Sequence, residues 1–178
     1  NKSDCNNYFK TAEQRKSLGV ADAKGIINYY KLSAKNIEGD FQTISGKTYF
    51  VDKEGNKIAG WVKKDGKWYH FNNKTAVMNK GFFKEAGNKF YLNPKTGEMT
   101  SGWFTIRGKS YLAKGNGVVV TNQIYTDGVK SYFFKKSGKR KNGWVTYKNA
   151  KYYFSKKKGM LKGKQKIKGK RYTFSKKT

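Results

Sequence analysis

Residues 60–81 read GWVKKDGKWYHFNNKTAVMNKG, and the reading of this stretch decides the fold. Two aromatic and β-branched runs, Trp61-Val62-Lys63-Lys64 and Lys67-Trp68-Tyr69-His70-Phe71, flank Asp65-Gly66. An Asp-Gly pair between such runs signals a β-hairpin, because the tight turn needs positive φ at its central residues. The same phrase returns along the chain. Tyrosines recur at 49, 69, 91, 111, 132, 153 and 172, in steps of 20, 22, 20, 21, 21 and 19 residues. A second column runs about eight residues ahead: Phe41, Trp61, Phe82, Trp103, Ile124 and Trp144, most of them preceded by glycine. Ser45-Gly46, Ala86-Gly87, Arg107-Gly108, Asp127-Gly128 and Lys168-Gly169 stand where Asp65-Gly66 stands in the quoted unit.

A hairpin of about 20 residues cannot enclose a core, whereas stacked hairpins can share one. The expected architecture is therefore all-β, a β-solenoid of about seven stacked hairpin repeats over residues 40–178. Tyr49, Tyr111, Tyr132 and Phe154 are its expected core rings. His70 reads as a cross-strand surface residue. Pro94 falls in the loop Asn93-Pro94-Lys95-Thr96-Gly97, where a missing N–H does no harm. Residues 1–39 break the period. They contain better helix formers and an apolar cluster of Ile26, Ile27, Tyr29 and Tyr30, so they read as a linker or lead-in, partly helical.

Composition sets the function classes. The 178 residues carry forty Lys and Arg against eleven Asp and Glu, a formal net charge of +29, yet 16% are aromatic. Basic disordered tails are poor in rings, so a folded, strongly basic domain is expected. No apolar run reaches the length of a membrane span. Cys5 is alone, which excludes an intrachain disulfide and a multi-cysteine metal site. The scattered acids, mostly in turns, suggest no paired carboxylates, and the one histidine lies far in sequence from Cys5. We therefore expect no enzyme, no cofactor and no metal. The chain begins without Met or a leader, as expected of a fragment whose export signal has been removed. Basic charge interleaved with rings also suits single-stranded nucleic acid, but no RNA-recognition, OB or helix-turn-helix signature accompanies it.

The motif Gly-Trp-x-x-x-x-Gly-x-Trp-Tyr-x-Phe, closed by Met-x-x-Gly, resembles the cell-wall-binding repeat family over about residues 40–178. That family includes the choline-binding modules of pneumococcal surface proteins and the glucan-binding repeats of glucansucrases, and similar repeats occur in clostridial toxins. The resemblance implies a non-catalytic targeting module with sites between successive hairpins. In choline-binding members the Gly-Trp ring, the Trp of the Trp-Tyr phrase and a ring of the next unit share a cage. Carried over, this implies Trp61 and Trp68 with Tyr91 as third wall, and more loosely Phe82 with Phe90 and Trp144 with Tyr152. Trp103 lacks its partner, since Ser110 stands at that place; Ile124 and Phe41 likewise meet Ser131 and Thr48.

Charge argues against a full row of choline sites, because a +29 scaffold repels a free cation. After Asp127 no acid follows, while Lys130 to Lys177 supply nineteen Lys and Arg. Lys135, Lys136, Lys139, Arg140, Lys141, Lys156, Lys157 and Lys158 are the expected contacts to an anionic polymer. The reading is a secreted, cell-wall-associated module that binds a bacterial surface glycopolymer, teichoic or lipoteichoic acid, by ring stacking and lysine contacts. A neutral α-glucan and an acidic host glycan, the latter bound as by an adhesin or toxin, are the alternative ligands. Nonspecific polyanion binding is expected in every case.

Overall fold

The computed structural model describes residues 37–175, and every regular element among them is a β-strand. The expected lead-in, and Cys5 with it, lies almost wholly outside the described residues. Seven antiparallel hairpins follow in order. Hairpin 1 is β1 Gly39–Ile44 with β2 Lys47–Asp52, followed by the short return strand β3 Lys57–Ile58. Hairpin 2 is β4 Gly60–Lys64 with β5 Lys67–Phe71, and hairpin 3 is β6 Gly81–Glu85 with β7 Asn88–Leu92. Hairpin 4 is β8 Gly102–Ile106 with β9 Lys109–Ala113. Hairpin 5 is β10 Gln123–Thr126 with β11 Ser131–Phe134 and the return strand β12 Arg140–Lys141. Hairpin 6 is β13 Gly143–Tyr147 with β14 Ala150–Ser155 and the return strand β15 Gly159–Met160. Hairpin 7 is β16 Gly163–Ile167 with β17 Lys170–Phe174. In hairpins 2, 3 and 4 the return leg shrinks to single bridges, Phe71 to Met78, Leu92 to Met99 and Ala113 to Val119.

The turns explain the strands. Asp65 and Gly66 have φ of 49° and 76°, the pair of left-handed residues that a type I′ turn requires and that matches the strand twist. Ser45-Gly46, Ala86-Gly87, Arg107-Gly108 and Lys168-Gly169 do the same. Hairpin 6 turns without glycine, on Lys148 and Asn149 at 47° and 61°. Hairpin 5 departs from the expected two-residue turn at Asp127-Gly128. Thr126 pairs with Ser131, so residues 127–130 form a four-residue loop. Asp127 Oδ1 accepts the Val129 and Lys130 N–H groups at 3.1 and 2.9 Å and closes it.

The register also corrects the tyrosine column. Aligned on strand pairing, the equivalent residues are Tyr49, Tyr69, Phe90, Tyr111, Tyr132, Tyr152 and Tyr172, partners of Gln42, Val62, Phe83, Phe104, Tyr125, Val145 and Gln165. Tyr91 and Tyr153 belong to the neighbouring position, opposite Phe82 and Trp144.

Two compact units divide the chain. One holds hairpins 1–3 together with residues 116–118, and the other holds hairpins 4–7. In the first, Phe50, Val62, Tyr69, Phe71 and Met78 pack together across hairpins 1 and 2, with Phe41 against them. Successive hairpins here are also joined by backbone. Met78 N–H donates to Thr48 O at 2.8 Å and Met99 N–H to Trp68 O at 2.7 Å. In the second unit, Leu112, Val120, Tyr132 and Phe134 form one cluster, and Phe133, Val145 and Phe154 form another. Phe50, Phe71, Phe134 and Phe154 are at most 1% exposed, each worth about 1.5–3 kcal/mol of burial. Tyr111, Tyr132 and Phe154 are buried as expected, while Tyr49 is only partly covered.

Candidate ring-and-cation site

Alternation along a strand sends neighbouring residues to opposite faces. The ring at the Gly-Trp position shares a face with its cross-strand partner and, in hairpins 1, 2, 4 and 6, also reaches rings of the next hairpin. Phe41 meets Tyr69 and Phe71 at centroid distances of 4.8 and 6.3 Å. Trp61 meets Phe83 and Phe90 at 5.7 and 5.0 Å. Trp103 meets Tyr132 and Phe134 at 4.9 and 5.7 Å, and Trp144 meets Tyr172 and Phe174 at 5.0 and 5.8 Å. Trp103 therefore does gain ring walls, from hairpin 5; its own cross-strand partner is Leu112. Trp103 and Trp144 keep 43% and 36% of their surface exposed, enough to present a face to a ligand.

The other named rings are placed as follows. Trp61 and Trp68 share a face of hairpin 2, because their pairs Trp61–His70 and Lys63–Trp68 lie two residues apart. Trp68 is buried at 6% exposure. Phe82 stands opposite Tyr91 at 4.8 Å, while Phe90 stacks on Phe83 at 5.3 Å on the other face, so Phe82 and Phe90 are not brought together. Tyr152 pairs with Val145 and packs with Phe133 and Phe154, whereas the ring beside Trp144 is Tyr153 at 5.2 Å.

The chain's own cations cover these faces. Lys63 Nζ lies 5.8 Å from the Trp68 centroid, Lys89 Nζ 4.1 Å from Phe82 and Lys151 Nζ 5.0 Å from Trp144. The Arg140 guanidinium carbon sits 4.5 Å from the Tyr132 centroid and 5.7 Å from Trp103. Each such contact is worth about 0.5–2 kcal/mol. Arg140 Nη2 also donates to Ser155 O at 3.2 Å and Lys156 O at 2.8 Å. Lys135, Lys136, Lys139, Lys141, Lys156, Lys157 and Lys158 are exposed, and Arg140 is half-buried among the rings. A further concavity of about 440 Å³ on hairpin 7 is lined by Lys164, Lys166, Arg171, Tyr172 and Thr173.

Around Trp61 the chemistry differs. His70, expected on the surface, is 2% exposed, because hairpin 3 lays Phe83 over it at 4.5 Å. Asn79 Nδ2 donates to His70 Nδ1 at 2.7 Å, which leaves Nε2–H to donate to Glu85 Oε1 at 3.0 Å. Glu85 also accepts from Trp61 Nε1 at 2.5 Å and Asn73 Nδ2 at 3.0 Å. Burial pushes the His70 pKa below the usual histidine value, against the opposing pull of Glu85. Burial disfavours the Glu85 carboxylate, but hydrogen bonds from Asn73, His70 and Trp61 outweigh it and hold the carboxyl below its usual value. The group ties hairpins 2 and 3 together and borders a shallow cavity of about 260 Å³. Among the described residues no three acid, His or Cys side chains converge as a metal site would need.

Residues 59–74 and 142–159, which cover hairpins 2 and 6, match the family model described as a cell wall binding repeat. No curated protein matches the chain by sequence. Among solved structures, CbpJ from Streptococcus pneumoniae TIGR4 shares the fold at a TM-score of 0.69 and 24% identity, over 78% of this chain and 51% of that one. Choline binding protein F from Streptococcus pneumoniae, solved in the presence of a peptidoglycan analogue, matches at 0.68 and 27%, over 77% and 45%. The modular autolysin LytC from Streptococcus pneumoniae matches at 0.51 and 24%, over 77% and 32%. The chain thus spans about half the length of the first two. Seven successive hairpins, two of them matching the cell wall binding repeat model by sequence, make this chain similar to the cell-wall-binding repeat proteins.

Proposed function

We propose that the module attaches a secreted, cell-wall-associated protein to an anionic surface glycopolymer, teichoic or lipoteichoic acid. In this reading residues 40–178 are the binding array and residues 1–39 its lead-in. The observation that carries it is charge: the second unit holds twenty-two Lys and Arg and one carboxylate, Asp127. A soluble domain needs a net charge of only about 2–8. That one carboxylate is committed to its own turn. The cations stand beside ring faces, so a polymer of alternating sugars and phosphates finds stacking and charge at adjacent points. A neutral glucan would leave this excess of charge without a use.

Pull-down on purified walls, before and after removal of teichoic acid, tests the reading. Retention is expected to fall on stripped walls and to fall steeply with salt, as counterion release demands. Retention indifferent to both treatments would replace the anionic polymer with a neutral one.

A further inference from the structure

We propose that the seam between hairpins 5 and 6 is a phosphate-binding site organised by Arg140, whose guanidinium also covers the rings where hairpin 4 meets hairpin 5, so that this surface takes a phosphodiester chain and not a quaternary ammonium. The inference rests on the anionic-polymer reading and gives it a place and a specificity. Trp103 packs against Tyr132 and Phe134 where hairpin 4 meets hairpin 5, and ring faces attract positive charge. The guanidinium of Arg140 already stands there.

The same side chain organises the turn beside it. Its Nη2 donates to the carbonyls of Ser155 and Lys156, and Lys130 Nζ donates to that of Lys157 at 3.1 Å. Three consecutive carbonyl oxygens, which would repel an anion, are therefore turned toward cations of hairpin 5. Ser155 Oγ accepts the N–H groups of Lys157 and Lys158 at 3.3 and 3.2 Å and holds the turn from within. Gly159 closes it against hairpin 5, where a Cβ would stand 2.7 Å from Ser131 O. The side chains of Lys156, Lys157 and Lys158 remain exposed, and the return loop of hairpin 5 presents Lys135, Lys136 and Lys139. Ammonium groups on a backbone fixed in advance lose less freedom when they bind, and charge-assisted bonds to phosphate are the strong class. Arg140 is thus a positioning residue. Lysine in its place would keep the charge but lose the planar fork that reaches two carbonyls and a ring at once.

The test is calorimetric titration of the full chain with a glycerol phosphate oligomer. R140K conserves net charge and is expected to weaken binding about five-fold or more, the size of one lost clamp. K170A removes a charge elsewhere on the unit and is expected to cost less than about two-fold. Wild-type binding with R140K unchanged, or K170A losing as much as R140K, overturns the inference alone. No wild-type binding to the oligomer at low salt overturns it together with the anionic reading. Tetramethylammonium provides the second readout: tryptophan fluorescence of the wild type stays unchanged, and R140Q gains a saturable response. A wild-type response equal to that of R140Q overturns the proposal. If Arg140 variants unfold, K156A/K157A/K158A against K109A/K168A/K170A decides it, since both remove three charges. Only the first set is expected to lose most of the affinity; equal losses overturn the proposal.

Discussion

Replacing Gly159 by Ala tests the stacking of hairpin 6 on hairpin 5 with an internal control. Gly159 has φ +71° and Gly143 φ +83°, so an alanine at either is forced into the left-handed region, at about 1–2 kcal/mol. The surroundings differ. A Cβ at Gly143 meets nothing within 4 Å, whereas at Gly159 it lies 2.7 Å from Ser131 O and 3.1 Å from Lys130 Cβ. The oxygen is backbone and cannot rotate away. Relief requires the turn and β11 to separate by several tenths of an ångström, an overpacking cost of about 1–3 kcal/mol. G159A should therefore lose about 1–3 kcal/mol more than G143A. Urea denaturation followed by tryptophan fluorescence reads this directly. With a slope of about 1–3 kcal/mol per molar, the two midpoints should differ by roughly 1 M. Coincident midpoints would refute the close approach of hairpin 6 to hairpin 5.

Acid should loosen the first unit. The folded pKa of His70 is depressed, so between it and the unfolded value near 6.5 the unfolded chain binds more protons, and stability falls as pH is lowered. Glu85, also depressed, acts in the same sense below its unfolded value near 4.5. Thermal melts from pH 8 to pH 4 should show the wild type losing stability and H70Q losing less of it in the upper part of that range. Trp61→Phe removes the donor to Glu85 and leaves a half-buried carboxylate short of a partner, at about 1–3 kcal/mol, while Trp144→Phe should cost less; paired denaturation curves compare them.

The hairpins were legible because two local signals coincide, an Asp-Gly or similar turn and alternating rings on either side. Register was harder to read. Phe90-Tyr91 and Tyr152-Tyr153 are doublets, and a one-residue slip sends the wrong ring to the wrong face while keeping the spacing near 20. Only backbone pairing distinguishes them. Lys148-Asn149 shows that a left-handed turn needs no glycine, since asparagine tolerates that conformation. The burial of His70 depends on Glu85 and Phe83 arriving from the following hairpin, a contact no pattern within residues 60–81 reveals. Arg140 looked like one more surface cation. Its place between two rings and two carbonyls is set by hairpins 4, 5 and 6 together. The charge asymmetry, by contrast, is carried by composition alone and was plain from the start.

The hydrogen bonds from Met78 to Thr48 and from Met99 to Trp68 run one way, from each later hairpin back to an earlier one. They give this part of the fold a direction that coincides with the order of synthesis. A segment of about 20 residues emerging from a ribosome or a narrow channel meets a finished template, docks on it, and in docking shelters the tryptophan or phenylalanine its predecessor had left uncovered. Growth by accretion, with no need to wait for the far end of the chain, is what such a polarity permits.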